Sequence, residues 1–281
     1  MSERARHLIA LGRSQEALAE LDKSFDSEDP VHWWTRALAL FDLDRVDEAL
    51  AVAGSGLSID PESVLLLDVV ARCQVRRGDL VAAEEAALAA LRVDPEDADL
   101  LALYALIVAK AGQLEKARKL IAQARRLDPE STSALRVEAA IAASRGDDRE
   151  TLLRSREILS IDPEDRHAHL MLGGVLHDRG DVAEASEYLR TAVVNDPRDA
   201  VAAEIARENL AWRHPLMWPL RPVQRFGGAR VWIAGIVLLL LARATKNSTV
   251  MLTVGIAWVL YCVYSWVVPP LVRRMVRGRL R

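Results

Sequence analysis

The sequence predicts an all-α chain in two parts: a superhelix of helical hairpins, then a two-helix transmembrane hairpin. Three observations predict it. Asp-Pro pairs recur every 34 residues, at Asp60-Pro61, Asp94-Pro95, Asp128-Pro129, Asp162-Pro163 and Asp196-Pro197, and a fixed period of that size marks a stacked helical array. Residues 1–210 hold all 40 acidic residues and 26 of the 37 Lys and Arg, a balance of −14. Residues 211–281 hold the other 11 basic residues and no acid, with five of the seven Trp. Such a division separates a part in water from a part at an anionic lipid surface, where Trp is also favoured.

Each 34-residue unit reads as helix, turn, helix, Asp-Pro break. Gly78, Gly112, Gly146 and Gly180 mark the turns, with Asp44 in the equivalent place; a left-handed residue ends a helix most cheaply when it has no Cβ. Proline stops the second helix because it cannot donate the next backbone bond. Glu62, Glu96, Glu130 and Glu164 follow the breaks, where acid suits the positive start of the next helix.

Small residues recur where helices must approach closely: Ala37, Ala71, Ala105, Ala139 and Gly173 in first helices, and Ala49, Ala83, Ala117, Thr151 and Ala185 in second helices. A further small site at Gly56, Ala90, Ala124 and Ala192 is interrupted by Ile158. Trp33, Leu67, Leu101, Leu135, Leu172 and Leu176 fill the gaps.

These residues resemble the tetratricopeptide repeat (TPR) family over roughly residues 1–200. The array is read as about five full repeats and a truncated first one, in which Gly12 and Ala17 keep the spacing and Pro30 closes the unit. Arg36, Glu138 and His169 stand where the family prefers large apolar or aromatic residues. The unit at 132–165, with Thr151 and Ile158, is the least regular and is expected to be the softest. The domains follow: 1–199 array, 200–211 capping helix, 212–228 juxtamembrane elbow, 229–244 and 248–272 transmembrane helices, 273–281 basic cytoplasmic tail.

In this family first helices line a concave groove. The resemblance therefore implies groove positions at Trp34, Leu38, Phe41, Asp68, Arg72, Arg76, Leu106, Lys110, Arg136, His167 and His177. An apolar start then meets a basic middle, which fits a protein or peptide segment with an apolar anchor and acidic residues. A clamp for a chaperone's terminal carboxylate is not expected, because the three Asn (Asn195, Asn209, Asn247) lie off the groove.

Enzyme chemistry has no footing. There is no phosphate-binding loop, no dinucleotide fingerprint and no Cys-x-x-Cys. His167 and His169 point to different sides of a helix, and His169 and His177 are about 12 Å apart along it, so a metal site is not expected. Gly173-Gly174 reads as close helix packing and Gly227-Gly228 as a hinge. No cofactor and no small-molecule substrate is expected, and the acidic array argues against nucleic acid. Cys73 and Cys262 imply no disulfide framework. The N-terminal segment carries no signal-peptide core.

Ser248–Val272 is 25 residues without a charge, about 37 Å of helix, enough to span a bilayer, and Pro269-Pro270 is expected to end it. The first apolar run, Val231–Ala242, is ambiguous by its length between a span and a re-entrant helix. Extended to Phe226–Ala244, with Arg230 and Arg243 snorkelling, it is read as a span. Trp212, Trp218, Trp232, Trp266, Arg273 and Arg274 join those two Arg as membrane-interface residues. Basic residues flank the hairpin's outer ends, while only Arg243 and Lys246 lie in its loop. Both termini are therefore expected in the cytoplasm, at the cell's inner or plasma membrane. The functional expectation is a membrane-anchored adaptor. The alternative is an accessory subunit of a membrane enzyme or transporter, docking through the hairpin with Gly235 and Gly255 as close-packing sites.

Overall fold

The computed structural model describes residues 2–24, 29–195, 199–245 and 247–279, all helix or turn. Asp196-Pro197, Lys246 and Arg281 lie outside the described residues. The chain forms two compact units, Met1–Asp147 and Asp148–Arg281. The division falls inside the least regular repeat.

The first unit holds α1 (Ser2–Ala10), α2 (Ser14–Leu21), α3 (Pro30–Asp42), α4 (Val46–Leu57), α5 (Val64–Arg77), α6 (Leu80–Val93), α7 (Ala98–Lys110), α8 (Leu114–Leu127) and α9 (Thr132–Ser144). The second holds α10 (Asp148–Ile161), α11 (Arg166–Asp178), α12 (Val182–Asn195), α13 (Ala200–Arg213), a 3₁₀ turn (Pro215–Leu220), α14 (Arg221–Phe226), α15 (Gly228–Ala244) and α16 (Ser248–Arg279).

The Asp-Pro breaks work through the Asp side chain. Asp60, Asp94, Asp128 and Asp162 each accept the backbone N–H of the Glu two residues on, at 3.0–3.3 Å. This local bond offers the backbone an alternative to the helix ladder. A second 34-residue series follows: Asp29, Ser63, Asp97, Ser131, Asp165 and Asp199 occupy the N-caps of the next helices. All but Ser63 accept a backbone N–H with the side chain, which satisfies donors a helix start leaves open. Pro30 opens α3 behind Asp29 rather than closing the preceding unit; at a helix's first residue the missing N–H costs nothing.

The turns between the two helices of each repeat are left-handed throughout. Gly12, Gly78, Gly112, Gly146 and Gly180 have φ between 70° and 82°, and Asp44 adopts φ 60°. Asp is among the few residues that tolerate this region, and Arg76 pairs with its carboxylate at 2.6 Å.

The small positions are fully buried: Ala37, Ala71, Ala105 and Ala139 against Ala49, Ala83 and Ala117 in the first unit, and Thr151 and Ala185 in the second. At Gly173 an added Cβ would come within 2.5 Å of Leu189, so the smallest residue faces a large one. Ile158 is fully buried despite breaking the small series. The three unusual residues are all accommodated by partners. Arg36 pairs with Asp22 at 2.6 Å and Glu138 with Arg125 at 3.2 Å. His169 places Nε2 2.9 Å from the Pro163 carbonyl, beside the Tyr188 ring.

At the chain's end the structure corrects two expectations. Pro269-Pro270 does not end the last helix: α16 runs unbroken to Arg279. Two prolines inside a helix cost about 3 kcal/mol each, but Val268, Val272 and Val276 are buried against Ala211, Met217 and Leu220. Packing of about 1.5–3 kcal/mol per buried Val offsets that cost. Residues 273–279, the start of the basic tail, are therefore the last turns of α16. The capping helix extends to Arg213, two residues beyond the expected end. The elbow is a 3₁₀ turn and a short helix, meeting α15 at 85°, with the bend at Gly227, φ 80°.

The elbow is fastened to α16 by two side-chain bonds. Tyr264 Oη donates to the Leu216 carbonyl at 2.5 Å and Tyr261 Oη to the Pro219 carbonyl at 3.3 Å.

Packing at the small positions predicts an asymmetric response. Ala105→Leu lowers stability by about 1–3 kcal/mol through overpacking, whereas exposed Arg118→Leu shifts it by less than about 0.5 kcal/mol. Urea melts of the full chain in detergent should give a clearly lower midpoint for the first variant only. Equal midpoints would refute the repeat register.

Candidate partner-binding face and apolar hairpin

In the first unit α1, α3, α5, α7 and α9 touch in series, so their outer positions form one continuous face. Trp34, Leu38 and Phe41 are partly buried at its start, with Leu106 further along. The Arg76 guanidinium lies 5.0 Å above the Phe41 ring while pairing with Asp44. Arg72 bonds Asp68 at 2.7 Å. Burial works against the Arg72 charge, yet Asp68, with Asp99 and Asp42, outweighs it and raises the pKa. Arg136 is half-buried and Lys110 exposed. The face is therefore one of matched charges, with Lys110 having no ion pair among the described residues. Sequence positions showed the cations, but the acids that neutralise Arg76 and Arg72 come from a neighbouring turn and from one helical turn earlier.

In the second unit the two histidines expected in the groove, His167 and His177, and the neighbouring His169 have different surroundings. His167 is exposed, near Arg166. His169 is held at the Pro163 carbonyl. His177 is buried beneath α13, where Asn209 Nδ2 donates to its Nδ1 at 3.2 Å. Burial lowers the His177 pKa, partly offset by Asp178 and Glu208. Thus His177 seats the capping helix and presents little surface. Among the described residues no group of three or more His, Cys, Asp or Glu is placed to hold a metal ion. Each Asn holds a structural position. Asn195 bonds the Glu164 carbonyl, Asn209 meets His177, and Asn247 caps α16. Cys73 is fully buried, and burial pushes its thiol up to about 11, which keeps it an unreactive thiol at neutral pH.

The helices α15 and α16 pack against each other. Gly235 lets the Trp258 indole against α15, where any Cβ would overlap it. Trp232 meets Trp258 edge-on at 5.7 Å. Among the described residues, nothing lies within 4 Å of a Cβ added at Gly255, so that small site stays open. Ile233, Ile236, Leu240, Leu241, Leu252, Ile256 and Leu260 are all exposed. Residues Ser248–Val276 form one helix long and apolar enough to cross a membrane; α15 meets that test only together with the elbow. Of the residues expected at a membrane interface, Trp218 and Trp266 are 69% and 81% exposed, and Trp232 is half-exposed on Trp258. Trp212 is partly buried in the cluster of Met217 and Leu220. Arg230, Arg243 and Arg274 are exposed, while Arg273 pairs with Glu208 of α13.

A family model of the tetratricopeptide repeat matches residues 2–63, 71–132 and 149–200. The chain belongs to the tetratricopeptide repeat family. No curated protein matches this TPR chain significantly. Among solved structures, it resembles the Cut9–Hcn1 hetero-tetramer of the APC/C (TM-score 0.63, 13% identity, 79% of this chain and 44% of that one). It also resembles human IFIT1, solved as a dimer with m7Gppp-AAAA (0.58, 17%, 92% and 67%), and TTC0263, a thermophilic TPR protein of Thermus thermophilus (0.56, 18%, 65% and 99%). At these identities the likeness is one of fold.

The buried His177 makes the second unit acid-sensitive. Unfolded, the ring takes a proton near pH 6.5; folded, it resists protonation. Stability from this group is therefore full above about pH 6.5 and falls as pH drops toward the lowered folded value. His177→Asn should flatten the decline in urea midpoint between neutral pH and about pH 5. An unchanged slope would show that another group carries it.

Proposed function

We propose that this TPR protein is a non-enzymatic adaptor. It binds a protein segment along the first-helix face of residues 31–144 and is held at the cytoplasmic side of a membrane by the α15–α16 hairpin. One observation carries the reading: an acidic repeat array is followed by a hairpin whose apolar side chains are exposed and whose sequence has no acid. A repeat array's usual product is an extended surface for another chain, and an exposed apolar hairpin of this size in water would be a large liability.

The partner chemistry follows from the face. An apolar anchor meets Trp34, Leu38, Phe41 and Leu106. A carboxylate meets Lys110, or competes with the 74% exposed Asp44 side chain for Arg76. Charge of this kind sets specificity and encounter rate more than affinity. The −14 balance of residues 1–210 opposes a nucleic-acid backbone as ligand.

The excess of basic residues outside the hairpin loop supports an orientation with both termini in the cytoplasm and the loop on the opposite side. One observation favours a second reading, an accessory subunit docked within the bilayer: Gly255 remains open on α16, a small site of the kind that membrane helices use to pack.

Photo-crosslinkers at Leu106 and at Ile256, placed in intact cells, separate the two readings. Adducts from Leu106 that disappear with Lys110→Glu and Arg76→Glu support the adaptor. Adducts from Ile256 alone support the subunit. For topology, single cysteines at Ser2 and Ser248, in a chain lacking Cys73 and Cys262, should differ. An impermeant thiol reagent on intact cells should label Ser248→Cys and spare Ser2→Cys, and the reverse pattern would overturn the orientation.

A further inference from the structure

The membrane reading leaves open where the bilayer stops, and the second unit carries an answer. We infer that α16 leaves the hydrocarbon near Ser265, and that its last turns and the elbow form a shelf lying in the anionic headgroup layer. This rests on the membrane reading above.

The hairpin's register comes first. Gly235 meets Trp258, so equal steps back along the antiparallel helices bring Gly228, the first residue of α15, level with Ser265. From the turn to that level α15 has 17 residues, about 25 Å, and residues 248–265 of α16 reach about 27 Å. The two arms match each other and come close to a hydrocarbon core of about 30 Å.

Beyond that level α16 is no longer lined by α15. Val268, Val272 and Val276 are buried on Ala211, Met217 and Leu220, and Arg273 pairs with Glu208. An exposed ion pair and the end of a water-facing capping helix do not belong in hydrocarbon, where ionised groups are costly. The tyrosines fasten the same junction: each donates a hydrogen bond to a backbone carbonyl of the elbow.

The elbow's direction agrees. It meets α15 at 85°, so a helix arm along the bilayer normal leaves the elbow in the membrane plane. Its inward residues, Met217 and Leu220, are buried, while Trp218 is exposed and Leu216 partly so, and Trp266 is exposed on α16 at the same level. Indoles favour this layer. Arg221, Arg230 and Arg274 are exposed and have no ion pair among the described residues; with no acid after residue 210, the charge suits anionic lipid, each basic residue near the surface adding attraction.

The full chain, with Cys73→Ala and Cys262→Ser, is placed in nanodiscs of phosphatidylglycerol with phosphatidylcholine, or of phosphatidylcholine alone. A nitroxide is attached in turn at Ile256→Cys, Trp266→Cys and Leu271→Cys, and its collisions with oxygen and with an aqueous nickel chelate are measured. Expected are a deep label at 256, an intermediate one at 266, and at 271 a several-fold greater exposure to the chelate than at 256. A label at 271 as deep as that at 256 overturns the boundary but leaves the membrane reading standing. An aqueous label at 256 overturns both. The label at 266 should also be less mobile in the anionic discs, a difference that Arg221→Gln with Arg274→Gln removes. Equal mobility in both lipids overturns the recognition of headgroup charge.

Discussion

The whole array depends on helices touching where side chains are smallest. Ala71, Ala105, Ala139 and Gly173 recur once per repeat, all buried, because two helices can close to contact distance only where one of them offers little more than backbone. The left-handed turns at Gly78, Gly112, Gly146 and Gly180 aim each second helix back onto that site. The Asp side-chain bonds and the N-cap series then restart the chain at a fixed phase. Regular spacing follows from this punctuation, and a continuous first-helix face follows from regular spacing.

Charge on that face is managed locally. Arg72 and Arg76 are held by Asp68 and Asp44, which lets an acidic unit keep cations in place over aromatic surface without a strong net field. Surface pairs like these contribute little to stability, about 0–1 kcal/mol. Their effect is to position the guanidinium of Arg76 over Phe41.

In the second unit α13 serves two neighbours. It covers the last repeat, with Asn209 reaching His177, and it receives α16 through Ala211 and Glu208. The cap and the hairpin therefore share one helix instead of being joined by a loose linker. The elbow is tied to the same helix by Tyr261 and Tyr264, which donate to the Pro219 and Leu216 carbonyls.

The sequence by itself determined the repeat period, the left-handed turns including Asp44, the small contact sites and the break before the hairpin. Each of these is written in a local backbone preference or in a spacing that repeats. The N-cap series at Asp29, Ser63, Asp97, Ser131, Asp165 and Asp199 obeys the same 34-residue period, although its mixture of Asp and Ser disguises it beside the uniform Asp-Pro pairs. Only the tertiary structure decided which cations are neutralised, that His177 is buried, and that α16 continues through Pro269-Pro270. Those outcomes rest on contacts between residues 32 apart (Arg76 with Asp44, Asn209 with His177), 42 and 48 apart (Tyr261 with Pro219, Tyr264 with Leu216) and 65 apart (Arg273 with Glu208). Local propensity says nothing about such partners. A proline's preference to end a helix yields when three valines on one stripe are buried by a segment far away in the chain.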